Sequence, residues 1–129
     1  QSGLARGLFE MATLNAIHAK MHKAVAQAGG RIEAVFYCPH AADMNCDCRK
    51  PRPGLFDEIA ARYGHDLQGV PAIGDSLRDL EAAVSVGARP VLVRTGKGEK
   101  TLAAGGLPEN TPVFADLSEA VDHLLAAAA

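Results

Sequence analysis

No stretch of the 129 residues stays apolar for anything near the roughly 18 that a membrane-spanning helix needs, and the N-terminus lacks the basic-then-apolar layout of a secretory signal. No membrane partner is expected. Charge of one sign is lacking too. With 13 basic residues against 15 acidic ones, bulk charge draws the chain neither to nucleic acid nor to an acidic membrane. Cysteine is scarce, three in all, and the three read as metal-bound rather than disulfide-bonded, so a reducing compartment, the cytoplasm, is expected. The front has no initiator methionine and no strand ahead of Gln1-Ser2-Gly3, so the chain reads as beginning inside something longer. Its length predicts one domain able to bury a core.

What is present concentrates in residues 37–54, YCPHAADMNCDCRKPRPG. All three cysteines fall here, with a histidine between the first and second, as Cys38-x-His40-x5-Cys46-x-Cys48. Four such donors make the closed Cys₃His tetrahedron of a structural Zn²⁺. A disulfide would leave one cysteine over, and Cys-x-Cys is too short to pair with itself without strain. Arg49 and Lys50 follow the last ligand at once, so the zinc loop, residues 38–50, delivers two cations to a fixed place. Pro51 and Pro53 predict an extended chain up to Gly54.

Around this loop the chain alternates helix and strand. Leu8, Met11, Leu14, Ile17, Met21 and Val25 recur at helical spacing, and Gly29 and Gly30 end that run. His18 and His22, four apart with Lys20 and Lys23 beside them, read as a solvated face. Residues 32–37 predict a buried strand leading into the zinc loop. Residues 54–63 predict a helix closed by Gly64, with Leu55, Ile59 and the Arg62 stem inward. A strand over 70–73 stops at Gly74-Asp75-Ser76, before a helix with Leu77, Leu80 and Val84 that Gly87 closes; a strand over 90–93 follows. Residues 97–106 predict a loop with a short helical turn. Val113 and Phe114 suit an edge strand. Asp116 and Glu119 have capping-box spacing for a last helix with Leu117, Val121, Leu124 and Leu125 inward.

This alternation predicts an α/β fold, a parallel sheet sandwiched by helices. In such sheets ligands bind beyond the carboxyl ends of the strands, where Gln1-Ser2, residues 38–50 and residues 74–76 are expected to meet. On its own Gly-Asp-Ser reads as an N-cap. Gathered with a lysine, an arginine and helix N-termini, it suits a phosphate site that also holds Mg²⁺, with Lys50 neutralising a transferring phosphoryl group and Asp75 offering an oxygen to the metal.

QSGLARG at 1–7, YCPH at 37–40, CDCRKPRPG at 46–54, GDSLRDLEAA at 74–83 and VRTG at 93–96 resemble the D-glycero-D-manno-heptose 1,7-bisphosphate 7-phosphatases of the haloacid-dehalogenase-like superfamily. The resemblance covers nearly the whole chain. It implies a single minimally capped domain over 1–129, with a Mg²⁺-dependent activity that removes the C7 phosphate through an aspartyl-phosphate intermediate in lipopolysaccharide precursor synthesis. It implies structural Zn²⁺ on Cys38, His40, Cys46 and Cys48, and Mg²⁺ on Asp75. Lys50 then stabilises the phosphoryl group, Arg49 recognises substrate, Gln1 and Ser2 belong to the phosphate loop, and Ser76 lies beside the substrate. Asp79 stands where many relatives carry a second acid. The implied partner is a small sugar phosphate, and the implied complete enzyme is a monomer.

One departure is large. The superfamily's Asp-x-Asp, whose first aspartate attacks phosphorus and whose second serves as acid and base, has no counterpart in residues 1–129; Asp43, Asp47, Asp57 and Asp66 do not follow an apolar strand in that pattern. The motif is expected upstream of Gln1, on a strand beside the one ending at Ile73, which makes residues 1–129 an N-terminally truncated domain. Other readings stay open: histidinol-phosphate phosphatase, a non-catalytic zinc-stabilised phosphosugar-binding relative, and a zinc-stabilised binding module, although such modules tend to be small and basic.

Overall fold

The computed structural model describes residues 4, 7, 10–40 and 45–128. The chain forms two compact units, Gln1–Arg49 and Lys50–Ala129.

In the first unit, helix α1 spans Met11–Gln27. Gly29, at φ 86, turns the chain out of it, and the Gly30 N–H returns to the Val25 carbonyl at 2.9 Å. Of the predicted inner face, Leu14 is buried, but Ile17 is 53 % exposed. His22 is exposed and His18 stands half-buried, its ring 6.1 Å from that of Tyr37. The strand expected over 32–37 does not form. Its β-rich composition is real, but a strand exists only where its backbone groups find a ladder partner, and the described residues of this unit include no strand to pair with it. Side chains hold the segment instead: the Tyr37 hydroxyl donates to Met11 Sδ at 3.5 Å.

The second unit begins with a correction. Residues 50–52 turn rather than run extended, because two prolines fix φ yet leave ψ free to fold back. Helix α2, Gly54–Tyr63, then has the predicted bounds, and Gly64 closes it at φ 69 with its N–H on the Ala60 carbonyl. Its inner side is Phe56, Ile59 and Ala60, while Arg62 is exposed.

Strand β1 (Pro71–Gly74), helix α3 (Leu77–Ser85), strand β2 (Arg89–Val93), helix α4 (Gly98–Ala104), strand β3 (Val113–Phe114) and helix α5 (Leu117–Ala128) follow. Helix α4 replaces most of the loop predicted over 97–106. The sheet is parallel throughout in the order β1-β2-β3, with Gly74 opposite Leu92 and Val93 opposite Phe114. Successive side chains of a strand take opposite faces, so β2 serves both sides. Val91 and Val93 pack with Ala120 of α5 and with Phe114, whereas Ala72 of β1 joins Ala83 of α3 and the α2 residues on the other side. Leu80 and Leu92 are fully buried, each contributing about 1.5–3 kcal/mol.

The inner face predicted for α5 is corrected by its register. Ala120 is the buried residue, and Leu117, Val121 and Leu125 lie outward. Strand β1 is an edge strand, paired with β2 alone among the described residues, and Ile73 on it is 37 % exposed.

Candidate functional site

Among the described residues, two groups of side chains have the chemistry of a site, one in each unit. In the first, Cys38 Sγ, His40 Nδ1, Cys46 Sγ and Cys48 Sγ all lie within 4.8 Å of one another, and none of the cysteines is in a disulfide. Zn–S bonds of about 2.3 Å at tetrahedral angles place ligand atoms ~3.8 Å apart. Cys38 to Cys46 is 3.7 Å, Cys38 to His40 is 3.5 Å and His40 to Cys48 is 3.2 Å. Cys38 to Cys48, at 2.8 Å, is the edge that has to open furthest. The donor set therefore fits a closed Zn²⁺ site.

The thiols are not equivalent. Burial works to raise Cys46, but hydrogen bonds from Cys38 and from the backbone N–H groups of Arg49 and Cys48 outweigh it and hold the group below the ordinary thiol value. Cys48 is pushed up to about 12, first by burial and then by hydrogen bonds with Cys38 and Cys46. Crowded thiols cannot all ionise in each other's field unless a cation sits among them. Arg49, half-buried, is the next residue after this set.

In the second unit the chemistry gathers at the carboxyl end of β1. Ser76 caps α3: its Oγ accepts from the Asp79 N–H at 3.4 Å, and Asp79 Oδ2 accepts from the Ser76 N–H at 3.2 Å, closing a capping box. The same Oδ2 accepts from the Asp75 N–H at 3.1 Å, and Asp79 Oδ1 lies 2.5 Å from Lys50 Nζ. Gly74 makes room for this. A β-carbon there would fall 2.4 Å from Asp79 Cβ, so the glycine before Asp75 lets the Asp79 carboxylate fold under the strand end. Burial works to raise the Asp79 carboxyl, but the hydrogen bond and charge of Lys50, with Ser76, win and hold it below its ordinary value.

The Asp75 carboxylate faces the turn after β2. Its Oδ2 accepts from the Lys97 N–H at 2.9 Å, and its main-chain carbonyl accepts from the Thr101 hydroxyl at 2.7 Å. Lys50, Asp75, Ser76 and Asp79 thus share one small region, whereas Gln1 and Ser2 lie outside the described residues. Sequence reasoning missed two features here. Lys50 and Asp79 pair from far apart in the chain, and nothing in Lys97–Thr101 marks it as a partner of Asp75. The single readable signal was Gly96, in VRTG.

Residues 47–120 match the HAD-hydrolase-like family. The chain is 62 % identical to the D-glycero-beta-D-manno-heptose-1,7-bisphosphate 7-phosphatase of Bordetella bronchiseptica, over 97 % of this chain and 70 % of that protein. Identity to the protein of that name from Pseudomonas putida is 52 %, over 97 % and 71 %. The crystal structure of D,D-heptose 1,7-bisphosphate phosphatase from B. bronchiseptica, complexed with magnesium and phosphate, superposes with a TM-score of 0.95 at 61 % identity, over 98 % of this chain and 71 % of that one. The corresponding phosphatase from Burkholderia thailandensis gives 0.74 at 53 % identity, over 96 % and 70 %.

Proposed function

The chain belongs to the D-glycero-beta-D-manno-heptose-1,7-bisphosphate 7-phosphatases, among the HAD-like hydrolases, and from that premise we propose that its protein removes the C7 phosphate of the β-anomer of the heptose bisphosphate. The observation that carries this is the cluster of Lys50, Asp75 and Ser76 about Asp79 at the end of β1, in a chain 62 % identical to a relative of that name. The setting is the cytoplasm, the pathway supplies lipopolysaccharide precursors, and the complete enzyme acts as a monomer without nucleic acid or membrane.

The chain spans about 70 % of the relatives' length. We assign the attacking aspartate and its acid-base partner to the part of the protein that precedes Gln1, on a strand that pairs with the open edge of β1. That aspartate attacks phosphorus, the bond from phosphorus to the C7 oxygen breaks, the second aspartate protonates the leaving alkoxide, and water then hydrolyses the acyl phosphate.

The residues of this chain position and neutralise. Asp79 takes one of the three Lys50 N–H donors and leaves two for phosphoryl oxygens. Arg49 offers a planar fork for a substrate phosphate or hydroxyl pair. The Ser76 oxygen accepts from Asp79, which leaves its proton for the substrate, and Gln1 and Ser2 complete the phosphate loop. Asp75 has one carboxylate oxygen committed to Lys97 and one to offer Mg²⁺, a hard ion commonly held by one or two carboxylates plus substrate oxygens. When bound, Mg²⁺ offsets the charge of the transferring phosphate. Cys38, His40, Cys46 and Cys48 would hold Zn²⁺, which would fix the loop that carries Arg49.

Assaying the full-length protein with the β-heptose bisphosphate and with histidinol phosphate tests this. Phosphate release from C7, dependent on Mg²⁺ and with the anomeric phosphate retained, is the expected result. Preference for histidinol phosphate, or loss of the anomeric phosphate, contradicts it.

A further inference from the structure

Asp75 is held from the far side by residues 96–101, the turn after β2 and the start of α4. Three observations converge on it. The Lys97 N–H occupies Oδ2 at 2.9 Å. The Thr101 hydroxyl shares its proton between the Asp75 carbonyl at 2.7 Å and the Lys97 carbonyl at 3.1 Å, tying the turn to the strand end. Gly96, at φ +59, is the wall behind the carboxylate, and a β-carbon there would lie 2.3 Å from Asp75 Oδ2. The turn itself is packed close, since a β-carbon on Gly98 would fall 1.8 Å from the Val93 carbonyl.

We propose that Thr101 and Gly96 are positioning residues for the metal-binding carboxylate: they fix the Asp75 backbone and side chain so that one oxygen is bound to the Lys97 amide and the other is presented alone to Mg²⁺. This rests on the reading of Asp75 as a Mg²⁺ ligand. An ion that demands near-ideal octahedral geometry at 2.0–2.1 Å is sensitive to the direction of each ligand, and partners behind a ligand commonly control affinity by roughly 10–100-fold. Both act on Asp75 itself, so their effect falls on metal affinity rather than on the chemical step.

The test is direct Mg²⁺ binding to the full-length protein by calorimetry, together with the Mg²⁺ dependence of turnover and Tm, in Asp75→Asn, Thr101→Val, Thr101→Ser and Gly96→Ala. Thr101→Val should raise the Mg²⁺ Kd roughly 10-fold, with kcat at saturating Mg²⁺ unchanged. Thr101→Ser, which keeps the hydroxyl, should restore wild-type affinity, and Gly96→Ala should bind more weakly than Thr101→Val. Undiminished Mg²⁺ binding in Asp75→Asn would overturn the reading of Asp75. Loss of binding there, with wild-type affinity in Thr101→Val, would overturn the positioning role alone. Thr101→Ser as weak as Thr101→Val, or affinity losses that only track falling Tm, would overturn it too.

Discussion

The two units are held together by different things. Leu14 and Cys38 are the buried apolar residues described in the first, where the segment after α1 has no ladder and four metal-type donors converge at its end. In the second, Leu67, Leu80, Leu92, Val91, Val93 and four alanines are buried between helices and a parallel sheet. A loop with so little apolar burial needs another source of order, and binding free energy of a structural Zn²⁺ is folding free energy. The second unit needs none, because hydrophobic burial and the strand ladder supply it. Arg49 is the last residue of the unit that carries the Cys/His cluster and Lys50 the first of the core-held one.

That boundary gives the variants with the largest expected effects. Lys50→Ala should lower kcat by about 10²-fold or more, as expected when a charge aimed at the transition state is lost. Arg49→Lys should chiefly raise KM, by about 10-fold, since an ammonium cannot copy a bidentate fork. Steady-state kinetics on the full-length protein distinguishes the two, and matching profiles would erase the distinction between neighbours. Leu92→Ala probes the core alone. It should cost about 2–5 kcal/mol in denaturant unfolding while leaving zinc content unchanged, and zinc loss in that variant would show that the units are not separately maintained.

The smallest effect expected is a pH dependence. The Asp79 carboxyl is lowered in the folded state from an ordinary value of 3.8. Its contribution is therefore fully present above that value and is lost as pH falls through the lower folded one. Asp79→Asn should lower Tm at neutral pH and flatten the decline of Tm below about pH 4. A variant whose Tm profile parallels the wild type would remove the Lys50–Asp79 pair from the account.

The sequence showed much of the second unit because its signals are local. Gly64 and Gly87 punctuate helices at positive φ, and residues 71–74 and 90–93 are short apolar runs between turn residues. The reciprocal cap predicted at Asp116 is present in altered form: Asp116 Oδ1 accepts from the Glu119 N–H at 2.8 Å, while Glu119 accepts from Ala115 rather than from Asp116 itself. What failed depended on partners far along the chain. Residues 32–37 have strand composition but no ladder partner among the described residues of their own unit, and the α5 stripe of Leu117, Val121 and Leu125 obeys helical spacing yet faces outward. At the site, the gathering of Cys38, His40, Cys46 and Cys48 was legible from spacing. The grip of Thr101 on Asp75, across 26 positions, was not.

Hydrogen exchange before and after zinc removal by a chelator tests the division most directly. On removal, the amides of Cys48 and Arg49, which donate to the Cys46 sulfur, should lose protection, while those of β1 and β2 should exchange as before. Unchanged exchange in the first unit, or loss of protection spreading equally through β2, would contradict it.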